Sequence, residues 1–221
     1  WLVTEFKKEK DLNSGYDIRL RYTAFYEGQE ADFTNNERIY KYTSNAATWG
    51  QNNWKGRVFF RKYGSDYYRD YDDYHNPTNV RLIRFADVLL MYAESIVQSG
   101  GSLSTAVAQV DRVRARANMP KLSVNHAAAT TDKDTFLKRL QMERMLELAT
   151  EGHRWADIKR WGLLDNQAGI DELKLRDADF ARWDEKEQKW IQNFVIGRHN
   201  CLPIPSDEAN NNPNIDQNPN Y

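Results

Sequence analysis

The chain has 221 residues, of which 40% are apolar and 29% charged, the composition of a folded protein with a core. Its 31 basic and 32 acidic residues nearly cancel, and the basic excess expected of a nucleic-acid-binding surface is absent. The single cysteine, Cys201, excludes a disulfide within the chain, and no apolar run approaches the ~18 residues of a membrane-spanning helix.

The first 80 residues have the pattern of irregular structure with short strands. Polar and apolar residues alternate over residues 17–22, and in part over 57–63, with the period of a half-buried strand. Turn-forming residues such as Asn13, Ser14 and Gly15 fall between these segments. We therefore predict a strand at each segment, within long loops.

Two polar loops of this region are rich in aromatic residues. An aromatic face can stack against the C–H face of a sugar ring, and a neighbouring amide can bond hydroxyl groups as donor and as acceptor. The candidate glycan contacts are Trp49, Asn52, Asn53, Trp54, Tyr67, Tyr71 and Tyr74. For each ring the alternative stays open that it packs its loop onto a core.

From Leu82 onward the apolar residues recur with a helical period, and two helices are predicted. Gly100 and Gly101 end the first, and Ser102 or Ser104 caps the second, which closes near Pro120. Because so short a turn joins them, they should form an antiparallel αα-hairpin. The expected inward positions are Leu82, Phe85, Ala86, Leu89, Leu90, Ala93, Ile96 and Val97, then Leu103, Ala106, Val107, Val110, Val113 and Ala117. The expected outward positions are Arg84, Asp87, Glu94 and Gln98.

A third helix is predicted to start near Asp132, to be interrupted at Gly152 and to end at Gly162. Its expected inward positions are Phe136, Leu137, Leu140, Met145, Leu148 and Ala149, followed by Trp155, Ile158 and Trp161. Residues 165–198 give no clear pattern, and Trp183 and Trp190 stay unassigned. The Pro- and Asn-rich tail is expected to lie extended over the protein, with Ser206 capping one helical turn and Ile204 and Ile215 as anchors. The alternative for so polar a tail is disorder.

Glu143, Glu147 and Glu151 are spaced four residues apart, which places them on one helical face. One interpretation is a pair of catalytic carboxylates, which glycoside hydrolysis needs ~5–10 Å apart. The interpretation that we favour is structural: the three arginines nearby in sequence neutralise them. These arginines are Arg144, Arg154 and Arg160.

The sequence contains no recognisable metal or cofactor motif. The four histidines, at 75, 126, 153 and 199, lack the spacing of a zinc site, and no phosphate-binding loop or Gly-x-Ser-x-Gly motif occurs. Asp70, Asp72 and Asp73 could collect calcium, but the Gly and terminal Glu of an EF-hand loop are missing. We expect no metal, no cofactor and no enzyme activity.

Three blocks of sequence resemble the C-terminal half of the SusD/RagB family. They are RLIRFADVLLMYAE (81–94) with VDRVRARA (110–117), ERMLELATEGHRWADIKRWG (143–162), and LPIP (202–205) with the final QNPNY (217–221). The family usually has Gly where Asn220 stands; since Asn tolerates a positive φ, we expect the turn to survive. An aromatic residue is common in the family where Ala149 and Thr150 stand.

The resemblance implies an all-α fold with long irregular loops: a tetratricopeptide-like αα-hairpin superhelix and a SusD-type C-terminal region with a few short strands. Within it we expect a loop- and aromatic-rich segment (1–80), a helical core (81–162) and a closing region of loops and tail (163–221). The family's N-terminal half is expected to lie outside this chain.

The resemblance also implies a function. Such proteins bind oligosaccharides at the cell surface and deliver them to a TonB-dependent, SusC-like transporter in the outer membrane, held there by a lipid anchor outside this chain. Two alternatives remain: a tetratricopeptide-like protein–protein interaction module, and a peptide-binding protein like RagB.

Overall fold

The computed structural model describes residues 1–26, 29, 58–64, 78–176, 181–192 and 194–221. The chain divides into two compact units: Leu2–Gly152, here the larger unit, and His153–Tyr221 together with Trp1, the smaller unit. The described secondary structure is mostly helical, with two pairs of short antiparallel strands. The predicted fold class is therefore confirmed.

The larger unit begins with two short helices and a strand pair. They are α1 (Leu2–Lys7), α2 (Arg19–Thr23), β1 (Ala24–Tyr26) and β2 (Val58–Phe60), and Ala24 lies opposite Phe60 in the register. The strand predicted at 57–63 is confirmed over β2, but the one at 17–22 is wrong. Asp17 Oδ1 accepts a bond from the Arg19 backbone N–H at 3.0 Å, which starts a helical turn instead.

The centre of the larger unit is an antiparallel αα-hairpin, as predicted. It consists of α3 (Phe85–Gln98) and α4 (Leu103–Arg116). Gly100 ends α3 with a left-handed φ of 80°, and the Ser102 hydroxyl caps α4 by accepting from Thr105 N–H. The residues packed between the helices are Ala86, Leu89, Leu90, Ala93 and Val97 of α3 and Ala106, Val110 and Val113 of α4.

Four residues of the first predicted helix differ in exposure from the prediction. Leu82 precedes the helix and is 85% exposed, and Phe85 is 64% exposed. Asp87 and Glu94 are buried, although both were expected to face solvent. Asp87 forms an ion pair with Arg144 at 2.8 Å. A charged partner on another helix, rather than hydrophobicity, therefore explains its burial.

A third layer packs against this hairpin. It consists of α5 (Leu122–Asn125), a 3₁₀ helix (Ala127–Thr130) and α6 (Lys133–Glu147). The helix α6 starts next to Asp132, as predicted, and Asp132 caps it by accepting from Thr135 N–H at 2.7 Å. Phe136 and Leu140 of α6 enter the hairpin core, and Met145 and Leu146 join Phe6 in a second cluster with α1 and α2.

The smaller unit has its own core. Its elements are α7 (His153–Arg160), α8 (Gln167–Arg176), β3 (Ala181–Asp184), β4 (Lys189–Gln192) and α9 (Ser206–Asn211). Its core residues are Ile158, Leu164, Ile170, Leu173 and Phe194. Trp155 is 48% exposed, so its predicted core position is wrong: Ile158 fills the inward face of α7 instead. The backbone of Trp183 lies opposite that of Trp190 in the hairpin.

The tail is folded on itself by the two halves of the third sequence block. The Gln217 side chain bonds both the N–H and the carbonyl of Ile204, at 2.7 and 2.9 Å, as a neighbouring strand would. Asn218 donates to the Leu202 carbonyl, and the Tyr221 hydroxyl donates to that of Cys201. The predicted helical turn is present as α9, but its N-cap is Pro205 rather than Ser206.

Candidate functional site

The glycan contacts predicted from the sequence lie outside the described residues. They are Trp49, Asn52, Asn53, Trp54, Tyr67, Tyr71 and Tyr74, and the possible calcium ligands Asp70, Asp72 and Asp73 belong to the same part of the chain. Both assignments stay predictions. The described part of the larger unit contains another candidate site.

The side chains of the three glutamates singled out in the sequence are buried and ion-paired. Glu143 and Glu147 lie in the last two turns of α6, and Glu151 follows the end of that helix. Two of the partners predicted from sequence proximity lie elsewhere: Arg144 pairs with Asp87, and Arg160 with Asp157. The described cations that bind the glutamates are Arg19, Lys62, Arg84, Arg114, Arg116 and Arg139.

Glu143 is the inner end of this ion-pair network. Its carboxylate oxygens lie 2.7 Å from Arg19, 2.9 Å from Arg114 and 2.8 Å from Arg139. Burial alone would raise the pKa of Glu143, but the three arginines outweigh it and hold the pKa at about 2. Glu143 is therefore ionised at neutral pH.

A second carboxylate, Glu9, anchors the network to the segment after α1. It pairs with Arg114, Arg139 and His126, each within 2.8 Å. Burial opposes its ionisation, but the bond from His126 and the charges of the two arginines lower the pKa of Glu9 far below its ordinary value. The network thus joins α4 and α6 to the beginning of the chain.

Glu147 and Glu151 form the outer end of the network. Arg84 bridges them, bonding Glu147 Oε1 at 3.1 Å and Glu151 Oε2 at 2.6 Å. Lys62 binds Glu151 at 2.6 Å, and Arg116 binds Glu147 at 2.8 Å. Although burial raises the pKa of Glu151, the bonds from Arg84 and Lys62 lower it by more. For Lys62 burial is the larger influence, and its pKa is lowered.

These outer ion pairs form the floor of a cleft of about 360 Å³. Tyr22 of α2 and Tyr63, just after β2, also line this cleft. Tyr63 has a left-handed backbone with φ of 66°, which costs a non-glycine residue roughly 1–2 kcal/mol. Strained residues of this kind concentrate at functional sites. The other lining residues are Ile18, Arg19, Thr23, Lys62, Arg81, Arg84, Arg116, Glu147 and Glu151.

The chemistry of this cleft favours binding rather than hydrolysis. A glycoside hydrolase needs one carboxyl group whose pKa is raised, so that it can donate a proton. The pKa values of Glu143 and Glu151 are both lowered, and every oxygen of Glu147 and Glu151 already accepts bonds from cations. The arrangement presents donors and aromatic rings to a ligand.

Sequence reasoning missed most of this cleft. Arg84 was assigned to an outward helix face, and Lys62 to a strand, although both bind Glu151. One signal was present: Asp17 and Arg19, and Arg61 and Lys62, belong to short charged segments that precede the predicted helices. Charged residues in such positions, outside the predicted amphipathic helices, indicate an ion-pair role.

Comparison with known proteins decides the family. The sequence model of the SusD family matches residues 3–221. The chain belongs to the SusD family. It is 33% identical to SusD-like protein P2 of Formosa agariphila over 149 residues, which make up 66% of this chain and 26% of that protein.

Two further relatives agree with the family. Identity to the starch-binding protein SusD of Bacteroides thetaiotaomicron is 28% over 144 residues, 65% of this chain and 22% of that protein. A crystal structure of a SusD superfamily protein from Bacteroides vulgatus superposes with a TM-score of 0.70 and 25% identity, covering 100% of this chain and 43% of that one. The chain therefore spans about a quarter of the matched curated relatives' length.

Proposed function

We propose that this SusD-family chain is part of a cell-surface protein that binds oligosaccharides and delivers them to a TonB-dependent, SusC-like transporter of the outer membrane, without chemistry of its own. The observation that carries the proposal is the family match over residues 3–221. Proteins of the SusD family are known as carbohydrate-binding outer-membrane proteins, and one relative is named for starch binding.

The proposed glycan contacts are those of the two aromatic loops, with Trp49 and Trp54 as stacking rings, Asn52 and Asn53 as hydroxyl partners, and the tyrosines at 67, 71 and 74 as further contacts. Placement at the membrane is proposed to come from a lipid anchor outside this chain. No helix in the described part of the chain is long and apolar enough to cross a bilayer.

Affinity gel electrophoresis with a panel of soluble polysaccharides tests the proposal. We expect retarded migration with at least one polysaccharide. Trp54→Ala and Tyr71→Ala should each weaken it by about tenfold, because a stacking ring is lost. Trp155→Ala is the matched control: it removes an exposed ring outside these loops and should leave migration unchanged. Release of reducing sugar from any polysaccharide would contradict binding without chemistry.

One observation favours the alternative, a protein- or peptide-binding module. Several apolar side chains in and before α3 are exposed: Val80, Leu82, Ile83, Phe85, Val88, Met91 and Tyr92. Exposed apolar surface of this kind marks interaction sites. The alternative is the correct function if no polysaccharide retards the protein, if peptides from an apolar library bind it, and if the Ile83→Ser and Phe85→Ser substitutions abolish that binding.

A further inference from the structure

The cleft above Glu147 and Glu151 presents positive charge to solvent, although its floor is acidic. The two carboxylates among its described lining residues are almost completely buried, with side chains 1% and 2% exposed. Arg116, by contrast, is 59% exposed, and Arg81 is exposed as well. A ligand that enters the cleft therefore meets guanidinium groups before it meets the carboxylates.

The same arginines have donors to spare. Arg116 uses one terminal nitrogen, Nη2, to bind both oxygens of Glu147, at 2.8 and 3.0 Å. Neither its Nε nor its Nη1 bonds an acceptor among the described residues, and none of those residues accepts a bond from Arg81. A guanidinium carries five N–H donors in a planar fork that matches carboxylate and sulfate oxygens.

The count of charges agrees with this picture. In the ion-pair network of the described residues, six arginine and lysine side chains meet five carboxylates. The basic residues are Arg19, Lys62, Arg84, Arg114, Arg116 and Arg139, and the acidic residues are Glu9, Asp17, Glu143, Glu147 and Glu151. Arg81 at the mouth of the cleft adds a further positive charge. Since the innermost charges compensate each other, the excess lies at the solvent side, where it attracts anions.

A neighbouring groove extends the positive surface. It has a volume of about 540 Å³ and shares Arg81, Arg84 and Arg116 with the cleft. Its other described lining residues are apolar apart from Arg112, and none of them is a carboxylate. The shared arginines thus form a basic ridge between two cavities.

An aromatic face stands beside this ridge. Tyr22 lines the cleft and is 57% exposed, so its ring is available to a ligand. A sugar ring packed against Tyr22 would bring a charged substituent towards the guanidinium groups of the ridge. At about 360 Å³ the cleft is at the small end of the ~300–1,000 Å³ range of ligand sites, which suits a single residue of a longer chain.

We propose that this cleft is a subsite for an acidic sugar residue, whose carboxylate or sulfate ester binds the outward donors of Arg81 and Arg116 while its ring packs on Tyr22. The inference rests on the proposed function, because it takes the ligand to be a glycan. It adds that the glycan is anionic and that it is bound by residues other than those of the predicted aromatic loops.

Isothermal titration calorimetry with charge-matched glycan pairs tests the subsite. One pair is oligogalacturonate and its methyl ester, which share a backbone and differ in the carboxylate charge. The other is a sulfated galactan oligosaccharide and its desulfated form. We expect the charged member of one pair to bind about tenfold or more tightly than its neutral form, with an affinity that falls as salt is added. The pair that discriminates tells a carboxylate ligand from a sulfate ligand.

Arg81→Gln and Arg116→Gln should each remove most of that preference. Arg112→Gln is the control, because it removes the same charge from the same helix, four residues before Arg116, without lining the cleft. Arg81 is exposed and unpaired among the described residues, so its replacement leaves the fold intact.

The outcomes separate the two proposals. If neutral and charged glycans bind equally, and neither arginine variant changes this, the acidic subsite is wrong and glycan binding stands. If no glycan of either pair and no polysaccharide of the gel panel binds, the proposed function itself fails. If oligoglutamate binds as tightly as the charged glycans and depends on the same arginines, the cleft is a peptide site and the assignment to sugar is overturned.

Discussion

Glu143 sits at the most enclosed point of the ion-pair network, with three arginines within 2.9 Å of its carboxylate. Replacement by the isosteric neutral Gln leaves these arginines buried with a missing countercharge. Removing one partner of a buried ion pair commonly destabilises a protein by about 3–5 kcal/mol. We expect that loss in the free energy of unfolding of Glu143→Gln, measured by urea denaturation.

The control for this variant is Glu208→Gln, because Glu208 is exposed on α9 and makes no ion pair among the described residues. It should change the free energy of unfolding by less than about 0.5 kcal/mol. Equal and small effects of the two substitutions would mean that the arginines around position 143 find other partners.

Asn220 occupies the position where the family usually has glycine, and its φ of 68° confirms that a left-handed turn is kept. Its side chain also donates to the Gly197 carbonyl at 3.0 Å, a bond that glycine cannot make. We therefore expect Asn220→Gly to be nearly neutral, within about 0.5 kcal/mol, since backbone freedom offsets the lost bond. Asn220→Val loses both the bond to Gly197 and the tolerance of a positive φ, and it should speed amide hydrogen exchange in the tail after Leu202.

At the scale of elements, the N-caps of α4 and α6 offer a comparison. Asp132 caps α6 with a bond of 2.7 Å, whereas Ser102 caps α4 with a longer one of 3.4 Å. The Asp132 charge also faces the positive end of the helix dipole. We expect Asp132→Ala to lower the free energy of unfolding by more than Ser102→Ala does. Thermal unfolding of the two variants, compared with wild type, measures the difference; a larger effect at Ser102 would contradict the argument.

The helices could be predicted from the sequence because their causes are local. The apolar period of α4 and α6, the cap at Asp132 and the left-handed glycine at position 100 all act within a few residues. The strand prediction for residues 17–22 is wrong because it uses only the local alternation of polar and apolar residues. Arg19 instead begins α2 and forms a buried ion pair with Glu143, 124 positions away, which no local pattern indicates.

The candidate site could be predicted only in part, because its geometry depends on distant pairs. Sequence proximity suggested Arg144 and Arg160 for the glutamates, yet the described partners include Lys62 and Arg84, more than 60 positions from Glu151. No local pattern records which of many cations a buried carboxylate meets. The prediction of glycan contacts in the aromatic loops remains a prediction.

For the larger unit as a whole, the ion-pair network makes stability depend on pH in the acid range. The pKa of Glu143 is lowered from 4.5 to about 2 in the folded protein, and the pKa values of Glu9 and Glu151 are lowered too. Above the unfolded value these carboxylates are ionised in both states, so their stabilisation is complete. As the pH falls below the unfolded-state pKa, the unfolded chain binds protons before the folded protein does. The free energy of unfolding therefore decreases until the pH reaches the folded-state pKa.

Urea denaturation at a series of pH values from about 7 to 3 measures this loss. Each such group contributes a slope of up to about 1.4 kcal/mol per pH unit between its two pKa values. Glu143→Gln should therefore be less stable than wild type at neutral pH but lose less stability on acidification, so that the two curves converge. Glu208→Gln should follow the wild-type curve throughout. If the free energy of unfolding of wild type and of Glu143→Gln depends on pH in the same way, unfolding does not cause Glu143 to take up a proton in this pH range.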